Sequence, residues 1–192
     1  MRKLLFSSIC SFFIALPVLA ALEAGSNAPL FEARASLAGE EFDFSLSEAL
    51  EDGPVVVYFY PSAYTQGCNI QAHEFSERME AFKAAGASVV GVSLDSIERL
   101  NDFSADPDYC AGNLAVASDV DGSIARSYNL TVRDAPANGF PDSRGVTIDH
   151  GFAERVTFIV TPDGKIAETI APPSPIANVE QSLAAVQRLA AE

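Results

Sequence analysis

The chain has 192 residues, of which 48% are hydrophobic and 20% charged, with 12 Gly and 11 Pro. That composition describes one globular domain with a sizeable core and excludes disorder as a whole-chain description. Twelve Lys and Arg against 26 Asp and Glu give a formal charge of −14, which argues against nucleic acid as a partner.

In chain order, the first segment reads as a secretory signal. Arg2 and Lys3 precede an apolar run from Leu4 to Ala21 that only Ser7, Ser8 and Ser11 interrupt, and Val18-Leu19-Ala20 supplies the small or apolar residues a signal peptidase reads. Cleavage after Ala20 is expected, with Ala24 as the alternative. An uncleaved anchor competes with this reading because the run approaches spanning length, and Pro17 favours cleavage. Residues 1–20 are therefore assigned to the signal and 21–192 to the domain. Cys10 lies ahead of most of the apolar run and is not a lipidation site. The mature chain keeps ten basic and 26 acidic residues and two cysteines, Cys68 and Cys110. An exported chain with an even cysteine count would ordinarily hold one structural disulfide.

Residues 21–53 alternate patchily through Phe42, Phe44 and Leu46, as short edge strands and turns do. The run from Val55 to Tyr60 is continuously β-branched or aromatic and predicts a central strand buried on both faces. Pro61 ends it. Phe75, Met79 and Phe82 then recur at helical spacing, predicting an amphipathic helix that follows Cys68 and closes near Gly86. A second strand is predicted over 88–93, a helical stretch over 96–104 and a third strand over 114–118. Residues 155–160 and 165–170 flank Thr161-Pro162-Asp163-Gly164 as a hairpin, and 177–191 form a last helix. Strand–helix alternation implies crossover units, hence an α/β fold with a mixed central sheet and helices outside it. Residues 133–151, rich in Pro, Gly, Asn and Asp, form a long connection of the kind that is functional or mobile.

Cys68 falls where the loop after a central strand meets a helix N-terminus. Free backbone N–H groups and the helix dipole favour a thiolate there. The plain alternative is an inert buried thiol packed against the sheet. Thr65, three residues earlier, is placed to donate its hydroxyl to the sulfur and to accept from a bound hydroperoxide, while Pro61 stiffens the loop and restricts water. No second cysteine lies within four residues of Cys68, so a Cys-x-x-Cys dithiol is absent from the site.

The segment Val-Val-Val-Tyr-Phe-Tyr-Pro-Ser-Ala-Tyr-Thr-Gln-Gly-Cys over 55–68 resembles the active-site signature of the peroxiredoxins (the AhpC/TSA superfamily), Pro-x-x-x-Thr-x-x-Cys after a hydrophobic strand. Gly91-Val92-Ser93, Ala117-Ser118-Asp119 and the stretch from Glu154 to Val160 ahead of Pro-Asp-Gly-Lys extend the likeness over most of residues 26–170. The resemblance is to the bacterioferritin-comigratory or Q-type subgroup. It implies a thioredoxin-like fold with peroxiredoxin additions at the N-terminus. It also implies Cys68 as the peroxidatic cysteine, with Pro61, Thr65 and Arg155 as its partners. A cation beside the sulfur suits this chemistry, holding the thiolate and polarising the O–O bond; alone, Arg155 would read as a surface arginine at a strand edge.

One departure concerns the catalytic cycle. Many members of the subgroup carry a resolving cysteine five residues after the peroxidatic one, and His73 stands there. Cys110 is the remaining candidate, since some members place a resolver in that region. External resolution by another thiol and a permanent structural disulfide are the alternatives. A disulfide needs Cα atoms within about 7 Å, so Cys110 would reach Cys68 only with local unwinding.

The resemblance implies a thiol peroxidase acting on hydrogen peroxide or organic hydroperoxides, regenerated by an external dithiol protein of thioredoxin type. A thiol–disulfide exchange protein on the same fold is the alternative. No metal or organic cofactor is implied, and no membrane contact after signal cleavage. The chain is expected in the bacterial periplasm as a monomer or homodimer. Cys68 and His73 lack the further ligands a metal site needs, and His73 and His150 read as helix-surface and loop residues. Asp119-Val120-Asp121-Gly122 lacks the distal glutamate of a calcium loop and reads as a turn into a short helix over 124–128.

Overall fold

The three consecutive valines, tyrosine and phenylalanine of β3 (Val55–Phe59) are all buried, and they form the axis of the molecule. The computed structural model describes residues 20–191, so the proposed signal segment lies, apart from Ala20, outside the described residues. Before β3 come β1 (Glu32–Leu37), β2 (Glu40–Ser45) and α1 (Leu46–Asp52). After it come α2 (Gln66–Ala84), β4 (Ser88–Ser93), α3 (Ile97–Ala105), β5 (Ala115–Ser118) and α4 (Ser123–Ser127). The long connection holds the two-residue strands β6 (Val132–Arg133), β7 (Phe140–Pro141), β8 (Thr147–Ile148) and β9 (Phe152–Ala153), and the chain ends in β10 (Val156–Val160), β11 (Ile166–Ile170) and α5 (Pro175–Leu189).

Seven strands make one mixed sheet in the order β11-β10-β3-β4-β5-β1-β2. The β3, β4 and β5 strands run parallel, as the crossover helices α2 and α3 require, while β10 pairs antiparallel to β3. Alternation along β3 divides the core into two layers. Val56 and Tyr58 face α2, α3 and α5, through Phe75, Phe82, Phe103 and Val179. Val55, Val57 and Phe59 face the other layer, where Leu46 and Leu50 of α1 pack with Tyr128. Each fully buried ring of this kind contributes about 1.5–3 kcal/mol.

The predicted elements are present with boundaries within about two residues. The Asp119 turn does lead into a short helix: its carboxylate accepts from the N–H groups of Ile124 and Ala125 at 3.0 and 2.8 Å. The reading of 21–53 as edge strands and turns omitted α1, a helix of seven residues capped by the Ser45 side chain. Only Leu46 and Leu50 are buried in it, too few to give a helical period.

Pairing of Val156 with Phe59 puts the start of β10 at the carboxyl end of β3. The N-terminus of α2 lies at that same end, where the crevice of an α/β sheet carries ligands.

Candidate active site

Thr65 is the N-cap residue of α2, and Cys68 lies in its first turn. Ser45, Ser96 and Ser174 cap α1, α3 and α5 with their side chains, whereas Thr65 makes no such bond and the first turn of α2 holds no acidic residue. The positive end of this helix is thus left to the sulfur. The thiol is 2% exposed. Arg155 Nη2 stands 3.2 Å from its Sγ, a cation within hydrogen-bonding reach of a sulfur anion.

A buried polar chain holds that guanidinium. Arg155 Nη1 donates to Gln71 Oε1. Gln71 Nε2 donates to Asn178 Oδ1 at 2.9 Å, which also accepts from the Thr157 hydroxyl at 2.7 Å. Asn178 Nδ2 in turn donates to the Ile170 carbonyl at 3.2 Å. Gln71, Thr157 and Asn178 are fully buried, so each has an ordinary structural duty to be paired. Here the pairing also fixes the cation at the Cys68 sulfur. Gly67 leaves room for it, because a Cβ there would sit 3.2 Å from Arg155 Nη2.

The loop from Pro61 to Thr65 is tied down independently. Asp95, fully buried, accepts from the Ser62 hydroxyl at 2.6 Å, the Ala63 N–H at 2.7 Å and the Ser93 hydroxyl at 2.7 Å. His150 Nε2 lies 2.9 Å from Asp95 Oδ1, and Nδ1 lies 2.8 Å from the Gly151 carbonyl. With an acceptor at each ring nitrogen, the arrangement calls for the doubly protonated imidazolium. Burial disfavours that charge, but Asp95 and the Gly151 carbonyl outweigh burial and raise the His150 pKa above its ordinary 6.5. Burial likewise works against the Asp95 carboxylate, and His150, Ser62 and the Ala63 N–H overcome it and hold its pKa below the ordinary 3.8. Arg99 Nε stands 2.9 Å from Asp95 as an ion pair, and Nη2 bridges the Ala63 carbonyl and Asp142, each at 2.8 Å.

Tyr64 needs this support. Its φ of 60° is left-handed, a conformation that costs a non-glycine residue about 1–3 kcal/mol. Its ring carries the Arg144 guanidinium at 3.3 Å, and its carbonyl accepts from Ser143 N–H at 2.8 Å. The long connection therefore clamps the loop that presents Cys68.

Against the sequence reading, Cys68 and Arg155 come together as expected, and Pro61 lines a cleft of about 360 Å³ with Arg155. Thr65 is corrected: its hydroxyl donates to the Ser62 carbonyl at 2.9 Å, not to the sulfur, which leaves its oxygen free to accept. Its cap position turns the side chain back onto the loop. His150 is a loop residue as expected, between β8 and β9, and it is also a half-buried partner of Asp95. Cys110 lies in the turn between α3 and β5, fully buried in the same apolar layer as Cys68. Both thiols are free, and burial with a smaller push from Asp106 drives the Cys110 pKa far up. Gln71 was legible in principle, being a polar residue three positions from Cys68 on a face otherwise apolar; Asn178, Asp95 and His150 left no local signal. Among the described residues no group of three or more His, Cys, Asp or Glu is placed to hold a metal ion.

A cysteine in the first turn of the helix after a central strand, with an arginine at its sulfur and a thioredoxin-like sheet beneath, defines a cysteine-based peroxidase. The AhpC/TSA family model matches residues 24–169. Peroxiredoxin Bcp of Escherichia coli (strain K12) is 32% identical over 145 residues, 76% of this chain and 83% of that protein. Peroxidoxin BcpB of Mycobacterium tuberculosis superposes with a TM-score of 0.72 at 26% identity, covering 88% of this chain and 98% of that one. The bacterioferritin comigratory protein of Xanthomonas campestris, described for its alkyl peroxide reduction, gives 0.64 at 25% identity, over 82% and 91%. The chain belongs to the AhpC/TSA family: it is a peroxiredoxin, a thiol peroxidase, and the reading as a thiol–disulfide exchange protein is not favoured.

Proposed function

We propose that Cys68 is the peroxidatic cysteine and that Arg155 activates both sulfur and peroxide; the 3.2 Å contact between them carries the reading. The Cys68 thiolate attacks the terminal oxygen of a hydroperoxide, the O–O bond breaks, and the leaving oxygen departs as water or an alcohol after taking a proton. The sulfur is left as sulfenic acid. Arg155 stabilises the charge that grows on the leaving oxygen, and Thr65, its own proton engaged with Ser62, accepts the hydroperoxide O–H. Pro61 walls the cleft. Hydrogen peroxide and organic hydroperoxides are the substrates.

Cys110 then resolves the sulfenic acid: its thiol condenses with Cys68, a disulfide forms and water leaves. The segment around Cys110 supports this, since Ala111 and Gly112 are both left-handed (φ 50° and 70°) and lie in a turn without regular structure. Reaching Cys68 requires this turn to open and lift Cys110 out of the apolar layer in which it is fully buried. An external dithiol protein of thioredoxin type reduces the disulfide. The chain is exported to a bacterial periplasm as residues 21–192, after removal of the basic and apolar segment 1–20, and works there as a monomer or homodimer.

Rapid mixing of the reduced protein with hydrogen peroxide tests the assignment. Fast single-turnover oxidation should be abolished by Cys68→Ser, while Cys110→Ser should stall at the sulfenic acid. Normal turnover in Cys110→Ser would assign resolution to an external thiol. Oxidation no faster than a free thiol would remove Cys68 from its role.

A further inference from the structure

Resolution needs the Cys110 turn to open, and one side chain ties that turn to the Cys68 loop. Tyr64 belongs by its backbone to the loop that presents Cys68, and its ring is buried. The ring meets Tyr109, the residue before Cys110, edge to face, with centroids 5.7 Å apart and an interplanar angle of 82°. Phe103 of α3 closes the cluster, 5.0 Å from Tyr64 and 5.6 Å from Tyr109. Rings in this geometry attract one another beyond the area they bury. The hydrogen bonds of the turn are largely its own. Tyr109 and Ala111 both donate their N–H groups to the Asp106 carbonyl, at 3.2 and 2.9 Å, and Asn113 N–H goes to the Cys110 carbonyl at 3.1 Å.

Tyr64 is pinned from the other side. Its left-handed φ of 60° is one that a bulky side chain abandons when nothing holds it. The restraint comes from the hairpin of β7 and β8. Ser143 N–H donates to the Tyr64 carbonyl at 2.8 Å, and the Arg144 guanidinium covers the ring at 3.3 Å from its centroid. Arg144 is itself fixed, because its Nε and Nη2 donate to Asp142 at 3.2 and 3.1 Å. The Asp142 carboxylate is buried and also accepts from Arg99 Nη2 of α3 at 2.8 Å, so the hairpin tip is bolted to the helix that precedes the Cys110 turn. The line of contact runs from Asp142 through Arg144, Tyr64 and Tyr109 to Cys110.

We infer that Tyr64, pinned by Arg144, is a latch that holds the Cys110 turn against the Cys68 loop and so sets the rate of disulfide formation. The inference rests on Cys110 being the resolving cysteine. With its ring uncovered, Tyr64 is free to leave the left-handed conformation, and its contact with Tyr109 goes with it. The turn then opens and Cys110 reaches the sulfenic acid. Its sulfur forms the S–S bond, the S–O bond of Cys68 breaks, and the hydroxyl leaves with the Cys110 proton as water. Arg144 and Tyr64 bond to neither sulfur, so they are positioning residues. Their removal should speed the second step, the opposite of what damage to the site would do.

In the test, the reduced protein is mixed with hydrogen peroxide and quenched in acid, and the intact mass separates the sulfenic acid from the disulfide, which is lighter by one water. Arg144→Ala and Tyr64→Leu should each form the disulfide about tenfold faster than the native protein, the size of one desolvated cation–ring contact, with peroxide consumed no faster. Labelling of Cys110 by a thiol reagent in the reduced Cys68→Ser background, read on the Cys110 peptide, should rise by a similar factor when Arg144→Ala is added. Leu50→Ala, which opens a cavity in the other core layer, should leave disulfide formation as in the native protein. An equal rise there would make the effect a general loosening and overturn the latch. Disulfide formation and labelling that are unchanged or slower in the Arg144 and Tyr64 variants also overturn it. If no disulfide forms in any of these proteins, the resolver reading falls by itself; faster labelling in Arg144→Ala then still supports the latch on the turn, and unchanged labelling removes it.

Discussion

Arg155 Nη2 lies 3.2 Å from Cys68 Sγ although the two residues are 87 positions apart in the chain. They meet because β10 returns antiparallel beside β3 and begins where β3 ends. Replacing Arg155 with Gln removes the charge while keeping a polar side chain. The second-order rate constant for hydrogen peroxide should fall by about 10²–10³, the loss typical of one stabilising donor at a reacting centre. Arg155→Lys should recover little of it, since a point charge cannot serve both Gln71 and the sulfur. Stopped-flow oxidation of the reduced variants measures both.

Gln71 positions Arg155 without touching the sulfur in any observed bond. Gln71→Leu strands the Asn178 carbonyl oxygen with one donor fewer and frees the guanidinium, so stability should fall by about 1–3 kcal/mol. The rate constant should drop about tenfold at temperatures well below the melting transition, which a purely structural role would not produce. In the double variant with Arg155→Gln the rate losses should be far from additive, because the two side chains act as one unit.

Gly67→Ala separates stability from activity. Alanine favours a helix by up to about 1 kcal/mol over glycine, yet its Cβ would press on Arg155 Nη2 from 3.2 Å. Thermal melting should be retained or slightly improved while the peroxide rate constant falls about tenfold. Equal loss of both would count against this account.

His150 makes the loop clamp pH-dependent. Its folded pKa is raised above 6.5, so its stabilisation is fully present below that pH and is lost as pH rises through the folded value. Asp95 has the opposite sign: its contribution is present above 3.8 and is lost as pH falls through its depressed value. Arg99 also faces His150 and opposes its charge, but by less than Asp95 favours it. The difference in Tm between the native protein and His150→Gln should therefore be largest near pH 5 and shrink toward pH 8, on the order of the range over which histidine titrates. A difference that grows with pH would contradict the imidazolium assignment.

Sequence alone determined the strands and the main helices and singled out Cys68 as the candidate reactive cysteine, because these rest on local causes. The buried run at Val55–Phe59, the helical spacing of Phe75, Met79 and Phe82, and the Pro-x-x-x-Thr-x-x-Cys order each lie within a few residues of one another. Arg155 was reached only through a family likeness, since nothing in its own neighbourhood points toward Cys68. Tertiary structure decided the rest. It turned the Thr65 hydroxyl toward Ser62, made His150 a partner of Asp95 across 55 positions, and joined Gln71 to Asn178 across 107. Those bonds depend on which buried polar groups the folded core brings together and obliges to pair, and no sequence period records that.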